Sequence, residues 1–142
     1  GKFFLGAGGG AATGGGGGVG GGIIRLLARA IDTSGGTLLV EASAGAGTST
    51  GAAGGAGGSV FVQVQGFAPG SQGSSFSMVA KGGDGLSAGG GGGGRAHLQI
   101  LDTSSAFVPA GNAVTGGAGT QVGSDGTCVY QLAKGALTDC QP

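Results

Sequence analysis

Six consecutive glycines at positions 89–94 and five at 14–18 are the feature that most limits what this chain can fold into. A glycine in a helix interior costs about 1 kcal/mol relative to alanine, so neither run can nucleate a helix. Glycine supplies 41 of the 142 residues and charged residues only 8%, against usual shares of about 7% and about 25%. An ordinary helical or α/β domain is therefore excluded. Disordered chains are usually poor in apolar residues and rich in charge. This one is 39% hydrophobic with a positive mean hydropathy, and its apolar residues are clustered, so something is buried. The length suits one domain.

The apolar clusters repeat. Gly22-Ile23-Ile24-Arg25-Leu26-Leu27-Ala28, Gly58-Ser59-Val60-Phe61-Val62-Gln63-Val64 and Gly94-Arg95-Ala96-His97-Leu98-Gln99-Ile100 align with a shift of 36 residues (22 to 58, 58 to 94). Each copy alternates with period two, which puts Ile24, Leu26 and Ala28, then Val60, Val62 and Val64, then Ala96, Leu98 and Ile100 on one face of a strand. A second strand family holds Leu38, Val40 and Ala42, then Phe76, Met78 and Ala80, with turns at 32–36 and 68–73. One such unit cannot bury its apolar face alone, but stacked units can. The expected fold is all-β: a short right-handed parallel β-helix, or β-solenoid, of about three to four coils with glycine-rich loops over residues 1–127, with 128–142 as a disulfide-closed C-terminal cap segment of the same domain. Thr127–Leu132 reads as the first strand of a partial fourth coil. Lys2-Phe3-Phe4-Leu5 reads as a short apolar strand that caps the first coil or pairs with a neighbouring subunit, and neither end of the stack shows a charged cap.

Glycine tracts at 8–22, 45–58, 85–94 and 116–123 recur once per repeat. One reading makes them flexible loops on one side of the stack. The other packs them together as extended polyproline-II-like segments, which can approach closely without Cβ atoms and exchange backbone hydrogen bonds.

The chemistry-bearing residues are few. Asp32, Glu41, Asp84, Asp102, Asp125 and Asp139 are scattered among turns and glycine tracts, with no pair placed for acid–base catalysis. His97 alternates with the inward Ala96 and Leu98 and reads as a solvated surface histidine. No nucleophile elbow, phosphate-binding loop or metal-ligating cluster is present, and Gly82-Gly83-Asp84-Gly85-Leu86 is one degenerate copy of a calcium-repeat motif, read as a turn. No catalytic, cofactor-binding or metal residues are expected, and no cofactor. Net charge is zero with the charges spread singly, which disfavours nucleic acid and anionic membrane surfaces as partners. No apolar run approaches the roughly 20 residues that span a bilayer. Cys128 and Cys140 are the two cysteines; with no metal motif to use them, they are expected to form a disulfide, which fits an oxidising, extracellular setting. The start at Gly1 rather than methionine fits a processed chain.

The run Gly89–Gly94 followed by Arg95-Ala96-His97-Leu98, the Gly57–Val62 segment, and Asp125-Gly126-Thr127 before Val129-Tyr130 resemble the glycine-rich parallel β-helix repeats of predicted bacterial extracellular and surface proteins. The resemblance covers residues 8–132 and implies a structural or surface role. The expected function is a non-enzymatic subunit of an extracellular filament, sheath or surface assembly, a homo-oligomer or homopolymer joined through strand edges and glycine tracts. Lys2, Phe3, Phe4 and Leu5 are the expected assembly residues. The alternative is an adhesin or surface-binding module for a glycan, ice or a receptor.

Overall fold

The computed structural model describes residues 3–102, 111–133 and 135–140. Among them are seven strands: β1 (Ile23–Ile31), β2 (Leu38–Glu41), β3 (Ser59–Phe67), β4 (Phe76–Val79), β5 (Arg95–Ile100), β6 (Thr127–Leu132) and β7 (Leu137–Asp139). The protein is strand-rich, with a single short 3-10 turn at Gly73–Ser75 among the described residues. One sheet has the order β1-β3-β5-β6-β7 and the other pairs β2 with β4. The large sheet is mixed, because β7 runs antiparallel to β6 while the other pairings are parallel, and neither sheet closes on itself.

The parallel pairings follow the sequence repeat. Ile24 lies opposite Val60, Val60 opposite Ala96 and Ala96 opposite Cys128. Leu26, Val62, Leu98 and Tyr130 form the next column. The step from β5 to β6 is 32 residues (95 to 127) rather than 36. In the small sheet Leu38 lies opposite Phe76 and Val40 opposite Met78. Both sheets contribute to one core, in which Val62, Val64, Phe76, Met78, Leu98 and Ile100 are wholly buried and Phe67 meets Phe76 edge-on. Each such side chain contributes about 1.5–3 kcal/mol of burial.

The glycine tracts are packed, ordered segments, and their backbone hydrogen bonds show how. In 53–58, the N–H groups of Ala53 and Ala56 donate to Gly10 and Ala7, those of Gly54 and Gly57 to Gly89 and Gly92, and those of Gly55 and Gly58 to Gly45 and Ala42. Successive residues thus point in three directions and the pattern returns after three. That is the period of a polyproline-II helix, which has no internal hydrogen bonds and must find its partners in neighbours. Three of the four tracts run out from the sheets, turn at Gly14, Gly51 or Ser87, all at positive φ, and run back. The returning segments form one layer and the outgoing segments of the later tracts another, while residues 6–10 bond the returning layer in a different direction. Between the layers, Gly123 donates to Gly117, Gly117 to Gly91, Gly91 to Gly83, Gly83 to Gly55, Gly55 to Gly45 and Gly45 to Val19, at 2.8–3.1 Å. At such a crossing a side chain has no room: a Cβ on Gly83 would collide with the carbonyl of Gly45, and one on Gly91 with that of Gly55.

One expectation about the ends is corrected. Phe3–Leu5 form no strand, because the Phe4 backbone is tied to a side chain, the Ser59 hydroxyl, which accepts from its N–H at 3.1 Å and donates to its carbonyl at 2.8 Å. Lys2 lies outside the described residues. At the C-terminal end the expected Cys128–Cys140 disulfide is present, and it ties β7 to the outer edge of β6, with which β7 pairs.

Candidate functional site

With one end covered, the other end stands out. Among the described residues, strand β1 pairs with β3 along one edge only, and along its nine residues the other edge presents backbone groups that no described strand pairs. The inward side chains of β1 and β2, Leu26, Ala28 and Leu38, are only partly buried. Their register partners on β3 and β4, Val62, Val64 and Phe76, are fully buried. The difference is that, among the described residues, no strand lies on the far side of β1 or β2. There an open groove of about 630 Å³ is lined by Leu26, Ala28, Ile31, Thr37 and Leu38, with Asp32 at its border. No charged side chain points inward from β1, since Arg25 and Arg29 fall on the alternate face.

The outer face of the large sheet is ordered in rows. Arg25, Phe61, His97 and Val129 lie opposite one another across the four parallel strands, and Leu27, Gln63, Gln99 and Gln131 form the row beside them. Gln99 Nε2 donates to Gln131 Oε1 at 3.2 Å. The N-terminal residues lie across this face. Phe3 packs edge-on against Phe61 at 5.6 Å, Phe61 edge-on against His97 at 5.1 Å, and the Arg95 guanidinium sits 4.5 Å over the Phe4 ring. Of the expected assembly residues, Phe3 and Phe4 are thus held by the chain's own sheet, and Leu5 is 71% exposed.

His97 is not the solvated histidine its alternation suggests. It is half-buried beside Phe61, its Nε2 is buried with no hydrogen-bond partner among the described residues, and burial lowers its pKa below the ordinary 6.5. Sequence periodicity gives the face a residue lies on, not what a remote segment lays over it. Three of the carboxylates, those of Asp32, Asp84 and Asp125, accept hydrogen bonds that tie down the backbone. Asp84 Oδ1 accepts from the Ala118 N–H at 2.7 Å and Asp125 Oδ1 from the Gly116 N–H at 3.0 Å, each fastening two glycine segments together. Asp32 accepts from the N–H and hydroxyl of Ser34, and the hydroxyl bond foremost lowers its pKa. Sequence reading missed these roles because their donors are backbone groups of other coils or of the same turn.

No protein-family model, no curated protein and no solved structure matches the chain.

Proposed function

We propose that the chain is a β-solenoid building block of an extracellular structural assembly, self-associating through its uncapped β1 end with the glycine tracts as a rigid second layer. The observation that carries this reading is the contrast between Leu26, Ala28 and Leu38, partly exposed, and Val62, Val64 and Phe76, fully buried. A second copy laid on β1 would pair its free edge and cover the groove, which is the ordinary remedy for an open edge strand. Two β1 ends meeting about a two-fold axis form a closed joint; a filament needs a further contact elsewhere on the molecule. The disulfide supports an oxidising compartment.

The test is sedimentation equilibrium of the intact protein with electron micrographs of the same sample. Self-association that is lost in Ala28→Lys, with the far-ultraviolet spectrum unchanged, is the expected result. A lysine aimed into the groove leaves its own coil room but cannot be covered by a second copy. A wild-type protein that stays monomeric at all concentrations would overturn the reading. The second reading, a surface-binding module, is favoured by the rows of planar side chains on the outer sheet face, Phe61 with His97 and Gln63 with Gln99 and Gln131. Binding to a glycan panel that is lost in Phe61→Ala would support it.

A further inference from the structure

The grooves between successive glycine segments of the returning layer are not alike. The first, between residues 16–22 and 52–57, is filled by the chain's own residues 6–10. Four backbone hydrogen bonds hold them: Gly6 N–H to Gly21 at 2.8 Å, Gly9 N–H to Gly18 at 2.7 Å, Ala53 N–H to Gly10 at 3.0 Å and Ala56 N–H to Ala7 at 2.8 Å. The wall is bare at Gly17 and Gly20, where a Cβ would run into the carbonyls of Gly9 and Gly6. At the sheet end the filling segment continues to Phe4, whose backbone is bonded twice to the Ser59 hydroxyl.

The lining positions recur down the layer with the strand register, at shifts of 36 residues (23 to 59, 59 to 95) and 32 for the last step (95 to 127). In the middle groove Ala53 and Ala56 stand where Gly17 and Gly20 stand, so methyl groups take the place of an incoming main chain. One step further, between residues 88–94 and 120–126, the same positions are Gly89 and Gly92. The walls of this third groove are tied as in the filled one: Gly90 and Gly93 donate to Gln121 and Ser124 at 2.8 Å, as Gly18 and Gly21 donate to Ala53 and Ala56 at 2.9 Å. A hydroxyl returns as well, because Thr127 holds the register position of Ser59, where the middle groove has Arg95. Among the described residues nothing donates to the carbonyls of Gly90 or Gly93, and neither the Ser124 N–H nor the Thr127 hydroxyl has a partner. Nor does any described neighbour require glycine at 89 or 92, since an added Cβ would meet only the Gln121 carbonyl at 4.0 Å or the Ser124 carbonyl at 3.6 Å. At its sheet end the groove opens into a depression of about 290 Å³ bordered by Gly93, Arg95, Asp125 and Thr127.

We propose that this third groove docks a polyproline-II strand with glycine at every third position, supplied by another chain. The bare Gly89 and Gly92 leave room for the occupant's carbonyls, as Gly17 and Gly20 leave room for those of Gly9 and Gly6. The filled groove defines the rest of the occupant. A Cβ on Gly6 or Gly9 would collide with the carbonyl of Ala56 or Ala53, whereas Gly10 has open space and position 7 carries an alanine. Only the N–H groups of Gly6 and Gly9 are used in the groove, so the two intervening positions accept small residues or proline, which stiffens the same conformation. The Ser124 N–H binds a carbonyl of the strand, and the Thr127 hydroxyl binds the backbone of the residues that precede it at the sheet end. Recognition is by main-chain hydrogen bonds, as in strand addition to a sheet edge, but with a three-residue period.

The test uses the intact, isotope-labelled protein and a synthetic peptide with the sequence of residues 3–13. Titration is expected to shift the Ser124 amide and slow its hydrogen exchange. Gly92→Ala puts into this groove the methyl group that closes the middle one. Its Cβ makes only an ordinary contact with the Ser124 carbonyl at 3.6 Å, so the melting temperature should stay unchanged while binding weakens at least about tenfold. A peptide with alanine at the positions of Gly6 and Gly9 should lose at least about as much. The absence of a shift at Ser124, shifts confined to Ala53 and Ala56, equal binding of the alanine peptide, or undiminished binding by Gly92→Ala would each overturn the proposal. The groove shares no residue with β1, so Gly92→Ala leaves the self-association test unaffected and the two readings fail separately.

Discussion

Gly91 donates its N–H to the Gly83 carbonyl at 2.9 Å, and a Cβ placed on Gly91 would run into the carbonyl of Gly55. The atom that would collide is backbone, held in its own hydrogen-bonded segment, so the strain cannot be relieved by a side chain turning aside. Gly91→Ala is therefore expected to lower stability by about 3 kcal/mol, at the upper end of ordinary overpacking. Gly10→Ala, with nothing within 4 Å of the added atom, should change it by less than about 0.5 kcal/mol. Denaturant unfolding of the two variants checks the contrast, and equal losses would refute the layered packing of the tracts.

Val62 is fully buried between Leu26 and Leu98 in the parallel columns. An unpaired carboxylate there costs several kcal/mol, comparable to the whole stability of a small domain. Val62→Asp is expected to abolish folding, seen as loss of the β-type circular dichroism spectrum and of a cooperative melt.

These columns were legible in the sequence, and so was the disulfide. Period-two alternation assigns a face, and a constant shift assigns a neighbour, so Ile24, Val60 and Ala96 could be stacked before any coordinates. The glycine tracts were legible only as a choice between loop and packed helix. Their sequence holds almost no side chains, and the direction of each N–H is written in the backbone alone. The docking of Phe4 on the Ser59 hydroxyl, 55 residues away, has no local signature at all, and β7 is a three-residue strand whose side chains are all exposed.

The Cys128–Cys140 bond closes a short ring, with a sequence separation of 12, and its contribution by loop closure is about 3 kcal/mol. Because β7 is exposed and, among the described residues, lies at the sheet edge with β6 as its paired strand, the loss on reduction should stay local. Hydrogen exchange after reduction is expected to accelerate at β6 and β7 while the amides of Val62 and Leu98 remain protected. Global unfolding on reduction would contradict this.

His97 supplies a pH dependence whose sign follows from its environment. Burial beside Phe61 disfavours the imidazolium, so the folded-state pKa lies below the 6.5 of the unfolded chain. A depressed pKa gives stability that is present in full above about 6.5 and is lost as the pH falls through the folded value. Melting temperatures measured downward from neutral pH should fall across that window, and His97→Phe should flatten the fall.

Ser87 reverses the third glycine hairpin with φ at +58°, where the first and second use Gly14 and Gly51. A side chain in the left-handed region costs about 1–2 kcal/mol, part of which the entropy of an unfolded glycine offsets. Ser87→Gly is expected to stabilise the protein by up to about 1 kcal/mol, read as a higher melting temperature; a loss would show that the serine side chain is held by something beyond its turn.

The threefold periodicity of the glycine segments has a consequence for how the chain finds its native arrangement. Sliding one segment along its neighbours by three residues returns nearly every N–H to a carbonyl and nearly every gap to a glycine, so the sandwich by itself is degenerate among such slips. The sheets are not: a one-residue error turns Val60, Val62 and Val64 to the wrong face, and a three-residue error does the same. The hydrophobic columns therefore act as the index that tells identical-looking glycine helices where to stop, and the molecule divides its labour between a half that carries positional information and a half that carries none.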